Sequence, residues 1–195
     1  MSEAAIMSLN RFNLALISII ALVVVAGSAG AAEKGASFTK IPTIKGIETL
    51  KAGAKAPDFT VTDLNDKEYR LKDSLAKGPA LLFFWSFFCG PCREEIPMIN
   101  EMAKQFAPKG LSVIGVNLDG RDMKKAVDKF YIAEKLTFRI VFDELVCDAF
   151  AVADPYGVAG TPALFLINKA GAITFSAVGA VTGEQLKKEI VKVAK

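Results

Sequence analysis

The segment Ala80-Leu81-Leu82-Phe83-Phe84-Trp85 is apolar without a break, and three residues later the chain reaches Cys89-Gly90-Pro91-Cys92. Successive side chains of a strand point to opposite faces, so such a run is buried throughout only when both faces of its sheet are covered. It therefore predicts a central strand of an α/β sheet. After the second cysteine the period changes. Ile96, Ile99, Met102 and Phe106 recur at intervals of three and four, which predicts a helix from Pro91 to about Ala107 with one buried face, kinked at Pro97. Both cysteines are thus expected at a junction where a buried strand turns directly into a helix.

The remaining elements follow from shorter signals. Residues 59–64 and 68–71, joined by Asn65-Asp66, read as an antiparallel hairpin ahead of the central strand. Residues 112–118 and Arg139–Phe142 read as further strands. Asp122 is placed to cap a helix whose inner stripe is Met123, Val127, Phe130 and Tyr131. Ala163–Ile167 and residues 173–177 form a hairpin about Lys169-Ala170-Gly171. The last helix opens on the capping box of Thr182 and Gln185 and buries Leu186, Ile190 and Val193. This order describes one α/β domain with helices on both faces of the sheet.

The uncharged apolar residues 14–26, preceded by Arg11 and followed by a small-residue segment, make residues 1–32 either a cleaved signal peptide or an N-terminal membrane anchor. Both readings send the rest of the chain outside the cytoplasm. Residues 33–52 lack periodicity and read as a tether, leaving residues 53–195 as the domain. A net charge of +3 over 195 residues is too small and too scattered to indicate nucleic acid. Histidine is absent, which excludes a His-based triad, an imidazole zinc ligand and an axial haem histidine. Arg93 follows Cys92, so the motif does not attach haem. Zinc would need two ligands besides the pair, with only Cys147 left among the thiols. No metal and no cofactor other than a redox-active Cys89-Cys92 disulfide is expected.

The junction supplies the chemistry. Thiolate is the reactive form, and a helix N-terminus offers unpaired N–H groups and the positive end of the macrodipole to stabilise it. Such surroundings lower a cysteine pKa from ~8.5 to as little as ~3.5–7.5. Cys89, at the helix start, is expected to attack. Cys92, one turn inward, is expected to resolve the mixed disulfide. Pro91 has no N–H to leave unpaired in the first turn and stiffens the loop with Gly90. A structural disulfide is the competing reading of a bare Cys-x-x-Cys, and the flanking strand and helix argue against it.

With these residues in place the chain resembles the thioredoxins and, among them, the exported TlpA/ResA/CcmG-type group. The matching pieces are Ala56-Pro57-Asp58-Phe59, Phe84-Trp85, Cys89-Gly90-Pro91-Cys92, Arg93-Glu94-Glu95-Ile96-Pro97 and Gly160-Thr161-Pro162. The resemblance implies a thioredoxin fold, a central mixed sheet carrying an extra N-terminal β-hairpin, and thiol-disulfide exchange outside the cytoplasm. It implies protein thiol or disulfide substrates, apocytochrome c among them, and a membrane thiol-transporting electron donor. Gly90-Pro91 resembles the dipeptide of reducing thioredoxins. By the same resemblance the Thr161–Pro162 bond is cis, and Thr161 lies against the cysteines with its backbone free for an extended substrate. A Glu at the position of Glu95 lies beside the cysteines in this group. Phe83 stands where thioredoxin has a buried Asp, which leaves Glu95 the proton-handling role; its other reading is a solvated acid of the first helical turn. Phe88 replaces the usual Trp before the first cysteine, and Phe87 and Phe88 are either exposed substrate contacts or core aromatics.

Two alternatives stand beside this reading. Ala56-Pro57-Asp58-Phe59 also suits a peroxiredoxin-type peroxidase, although Leu82 occupies the place of that motif's proline while Ser86 fits. A redox-inert thioredoxin-like binding module is the other. Cys147 is expected to be a buried small hydrophobe, with a third redox thiol as its competing reading.

Overall fold

The structure, a computed structural model, describes residues 48–194. The leader expected in residues 1–32 and most of the tether lie outside the described residues. The first hairpin forms as β1 (Thr60–Asp63) and β2 (Glu68–Arg70). Its turn is tied by the Asp63 carboxylate, which accepts from the N–H groups of Asn65 at 2.9 Å and Lys67 at 3.0 Å. A five-residue helix α1 (Leu71–Leu75), too short to leave a periodic signal, leads to β3 (Ala80–Trp85). Then come α2 (Gly90–Phe106), unbroken through Pro97, β4 (Ser112–Asn117), α3 (Lys124–Ala133) and β5 (Arg139–Phe142). A small hairpin, β6 (Leu145–Val146) with β7 (Ala149–Phe150), precedes β8 (Ala163–Ile167), β9 (Ile173–Val178) and α4 (Gly183–Val193).

Seven strands form one mixed sheet in the order β2-β1-β5-β4-β3-β8-β9. The neighbours β3, β4 and β5 run parallel, joined by the crossovers through α2 and α3, and the remaining pairs are antiparallel. All six residues of β3 are buried, as the apolar run requires. Its alternation divides the core. Leu81, Phe83 and Trp85 face Ile96, Ile99, Phe106, Val127, Leu186 and Ile190 of the three long helices. Leu82 and Phe84 face Phe59, Tyr69, Tyr156 and Leu71 of α1. Helices thus lie on both faces, unequally: the second face is closed by α1, the first hairpin and the loop before β8. Aromatic rings do much of that closing, with Tyr156 5.1 Å from Phe165 and 5.7 Å from Phe84 between centroids.

Three expectations are corrected. Asp122 does not cap α3. The chain leaves Gly120 at φ +72° into a 3₁₀ turn over Arg121–Met123, so Asp122 sits inside that turn and Met123 is the uncapped N-cap. The tether does not extend to residue 52. Leu50 N–H donates to the Tyr156 carbonyl at 3.1 Å, and the Thr49 hydroxyl donates to the Gly157 carbonyl at 2.7 Å. Gly157 permits this approach, since a Cβ there would lie 2.1 Å from the Glu48 carbonyl oxygen. Backbone pairing carries no side-chain period, which is why the segment reads as unstructured. The third correction concerns Cys147. It is exposed at the tip of the β6–β7 hairpin, where it and Asp148 both take positive φ, 51° and 63°. Leu145 and Val146 beside it are 63% and 60% exposed, so an apolar neighbourhood in sequence here marks surface.

Cys147 has no cysteine near it in the sequence, and it is expected to take no part in the exchange at Cys89 and Cys92. Cys147→Ala should leave insulin reduction unchanged and shift stability by no more than about 0.5 kcal/mol, the scale of surface substitutions. Turnover lost in a variant with an unaltered thermal transition would contradict that.

Candidate active site

Beyond Trp85 the chain has three residues in which to turn from strand to helix. Cys89 is the N-cap of α2, with extended backbone, and its Sγ accepts from the Cys92 N–H at 3.2 Å. Pro91 occupies the first turn, where no intrahelical N–H bond is lost. The two sulfurs are joined as a disulfide with their Cα atoms 5.3 Å apart. Their surroundings differ. Cys92 is 0% exposed among Trp85, Ile96 and Leu186, while Cys89 is half-buried, with Gly90 and Pro91 exposed beside it. An incoming sulfur can reach only Cys89.

The register of the sheet brings the other predicted residues to this end. Phe84 pairs with Ala163, so Thr161 and Pro162 lie just beyond the last rung, next to the strand end from which the cysteine loop departs. The Thr161–Pro162 bond is cis. Pro162 is buried and its carbonyl accepts from Gly179 N–H at 2.8 Å, while Thr161 is half-buried.

Glu95 is not a solvated acid. It is 6% exposed, one helical turn beyond Cys92. Its Oε1 accepts from the Val181 N–H at 3.0 Å, and its buried Oε2 has no partner among the described residues. Burial pushes the carboxyl pKa above the ordinary carboxylate value, against the opposing pull of the Val181 bond. Phe83, at the position of thioredoxin's Asp, is buried and apolar.

Phe88 is 74% exposed at the rim, edge-on to Phe87 at 5.6 Å. Phe87 in turn meets Phe130 of α3 at 5.8 Å, and the Arg93 guanidinium lies over both rings at 5.7 and 5.6 Å. The aromatic pair thus divides: Phe87 packs against the domain and Phe88 projects from it.

Asp119 belongs to this site and has no signal in the sequence. It follows β4, and its carboxylate holds the turn between β3 and α2 through Ser86 at 2.6 Å and the Phe87 N–H at 2.6 Å. A lone aspartate after a strand is indistinguishable from a loop acid until the parallel pairing of β3 with β4 sets the two strand ends side by side. Ser86 is committed to this contact, and Leu82 is fully buried inside the central strand. Among the described residues no group of three or more His, Cys, Asp or Glu side chains is placed to hold a metal ion.

Comparison with known proteins agrees with this geometry. The AhpC/TSA family matches residues 52–176. Thiol-disulfide oxidoreductase ResA of Bacillus thuringiensis subsp. konkukian is 33% identical over 181 residues, covering 93% of this chain and 97% of that protein. A crystal structure from Chlorobium tepidum, assigned to the thiol:disulfide interchange protein DsbE, superposes with a TM-score of 0.66 at 31% identity, covering 75% of this chain and 100% of that one. StoA of Bacillus subtilis superposes with a TM-score of 0.56 at 26% identity, covering 70% and 98%. These relatives are named for thiol-disulfide exchange, and the chain, whose buried strand delivers one accessible and one buried cysteine to a helix start, belongs to the AhpC/TSA family as a thioredoxin-fold thiol-disulfide oxidoreductase with Cys89 and Cys92 as its cysteine pair.

Proposed function

We propose that the protein is an extracytoplasmic reductase of protein disulfides, in the periplasm or at the outer face of the cytoplasmic membrane. The observation that carries the direction of attack is the unequal burial of the pair: Cys89 accessible, Cys92 fully enclosed. In the reduced protein the Cys89 thiolate attacks one sulfur of a substrate disulfide, forming a mixed disulfide and expelling one substrate thiolate. Cys92 then loses its proton and attacks the Cys89 sulfur. This restores the Cys89–Cys92 disulfide and releases the second substrate thiolate, so two electrons pass to the substrate. Glu95 takes the Cys92 proton. Phe88, Gly90 and Pro91 form the exposed rim that meets the substrate. The Thr161 backbone pairs with an extended segment beside Pro162.

The extracytoplasmic assignment is supported by residues 1–32, a leader that is cleaved or retained as an anchor. An oxidising compartment would leave the pair as disulfide, so repeated turnover needs an electron donor, and a membrane thiol-transporting protein is the class that supplies one. Apocytochrome c, whose cysteine pair must be reduced before haem attachment, is the substrate the resemblance favours. Deleting the gene should lower mature c-type cytochrome several-fold, and external thiol should restore it, read by haem staining. Normal cytochrome in the deletion strain would instead indicate a broader disulfide reductase.

A further inference from the structure

The turn between β3 and α2 is short, buried on one side and obliged to place both Phe88 and Cys89, so its backbone N–H groups need fixed partners. They find them through one carboxylate. Asp119 Oδ1 accepts from the Ser86 hydroxyl at 2.6 Å, and Oδ2 accepts from the Phe87 N–H at 2.6 Å and from Asn117 Nδ2 at 2.8 Å. Ser86 passes the constraint on: its Oγ accepts from the Phe88 N–H at 3.1 Å and its carbonyl from the Cys89 N–H at 3.1 Å. Three consecutive N–H groups, those of Phe87, Phe88 and Cys89, are thereby held by Asp119 or by the serine it orients.

The anchor itself is rigid. Asn117 is fully buried at the end of β4, its Oδ1 accepts from Asp119 N–H at 3.2 Å, and Leu118 N–H donates to the Trp85 carbonyl at 3.0 Å. Hydrogen bonds to a carboxylate are shorter and about twice as strong as neutral ones. The two 2.6 Å contacts are at that short end.

We propose that Asp119 is a positioning residue of the exchange reaction: acting through Ser86 and the Phe87 N–H, it holds the Phe88–Cys89 rim in the geometry a folded or extended protein substrate requires. The proposal rests on the reading of Phe88 as a substrate contact. Orientation of this kind matters for a large substrate, which must meet the rim and the Thr161 segment together, and little for a small disulfide that needs only an accessible Cys89 sulfur.

The test uses reduced full-length protein, with insulin as the protein disulfide and bis(2-hydroxyethyl) disulfide as the small one. Asp119→Ala should raise KM for insulin about tenfold, while the rate with the small disulfide stays within about twofold. Asp119→Asn should recover most of the loss, because the amide oxygen can take the Phe87 and Asn117 donors while its NH₂ donates to Ser86 Oγ. Should Asp119→Ala fail to fold, Ser86→Ala removes the Phe88 tie and the Ser86–Asp119 bond while keeping the bonds of the Phe87 and Cys89 N–H groups, and should raise KM for insulin in the same direction by about threefold. An equal loss with both disulfides, no change with either, or an Asn variant as impaired as the Ala variant would overturn the proposal. Phe88→Ala is measured beside them. If it leaves KM for insulin unchanged, the substrate-contact reading of Phe88 fails on its own account.

Discussion

Cys89→Ser should reduce insulin at the background rate, a loss of about 10³-fold or more, the scale on which enzymes respond to removal of a nucleophile. Cys92→Ser should behave differently. Its Cys89 thiolate, at the helix start and open to solvent, still attacks, but with a hydroxyl in place of the second sulfur the mixed disulfide has no resolving thiol and accumulates. Non-reducing electrophoresis with a disulfide-bonded protein should therefore show a covalent adduct for Cys92→Ser and none for Cys89→Ser. The structural basis is burial: a sulfur with 0% exposure in the core formed by Trp85, Ile96 and Leu186 cannot be approached by a substrate disulfide without opening the domain. An adduct formed through Cys92 in the Cys89→Ser protein would reverse the assignment. Wild-type protein that fails to reduce insulin while Cys89 and Cys92 are both intact would leave a redox-inert binding module as the surviving account.

What could be read from the sequence was whatever follows from local period and local chemistry. Residues 80–85 announced a strand covered on both faces because six apolar residues in succession have no other economical arrangement in a sheet, and β3 has those bounds. Thr182 and Gln185 announced the start of α4 because a cap is a contact three residues long, and the hydroxyl does accept from the Gln185 N–H at 3.2 Å. The cysteine motif was legible for the same reason: both cysteines and the helix start lie within four residues. Contacts made across the chain were not legible. Asp119 reaches Ser86 over 33 positions, and Leu50 reaches Tyr156 through backbone atoms that leave no mark on residue choice. Cys147 was misread as core because Leu145 and Val146 flank it, yet all three lie on a hairpin outside the seven-stranded sheet. Glu95 is intermediate. Its spacing from Cys92 was visible, but the bond that holds its carboxylate comes from Val181, 86 residues away in the approach to α4.

Glu95→Gln should slow release of substrate from the mixed disulfide by about 10²-fold, the lower end of what a positioned general base contributes. Cys92 must shed a proton before it attacks, and its complete burial keeps bulk water from taking it. The Glu95 carboxyl stands one turn along the same helix, with Oε1 fixed by Val181 and Oε2 buried without a partner among the described residues. A buried carboxylate oxygen without a donor disfavours the charged form, so the raised pKa brings the group toward the range in which it can accept and return a proton. Gln keeps the amide oxygen for the Val181 N–H and the side-chain volume, but cannot take the proton. The same burial predicts a pH signature in stability. A carboxyl whose folded pKa lies above its unfolded value stabilises the fold most below the unfolded pKa, and that contribution is lost as pH rises through the folded pKa. Glu95→Gln removes this dependence, so its stability relative to wild type should improve as pH is raised above the ordinary Glu range, measured by urea unfolding across pH. Stopped-flow decay of a mixed disulfide preformed on Cys89 supplies the rate. A Gln variant whose mixed disulfide resolves at the wild-type rate, with an unaltered Cys92 titration, would assign the proton to water entering the site, whatever the stability profile shows.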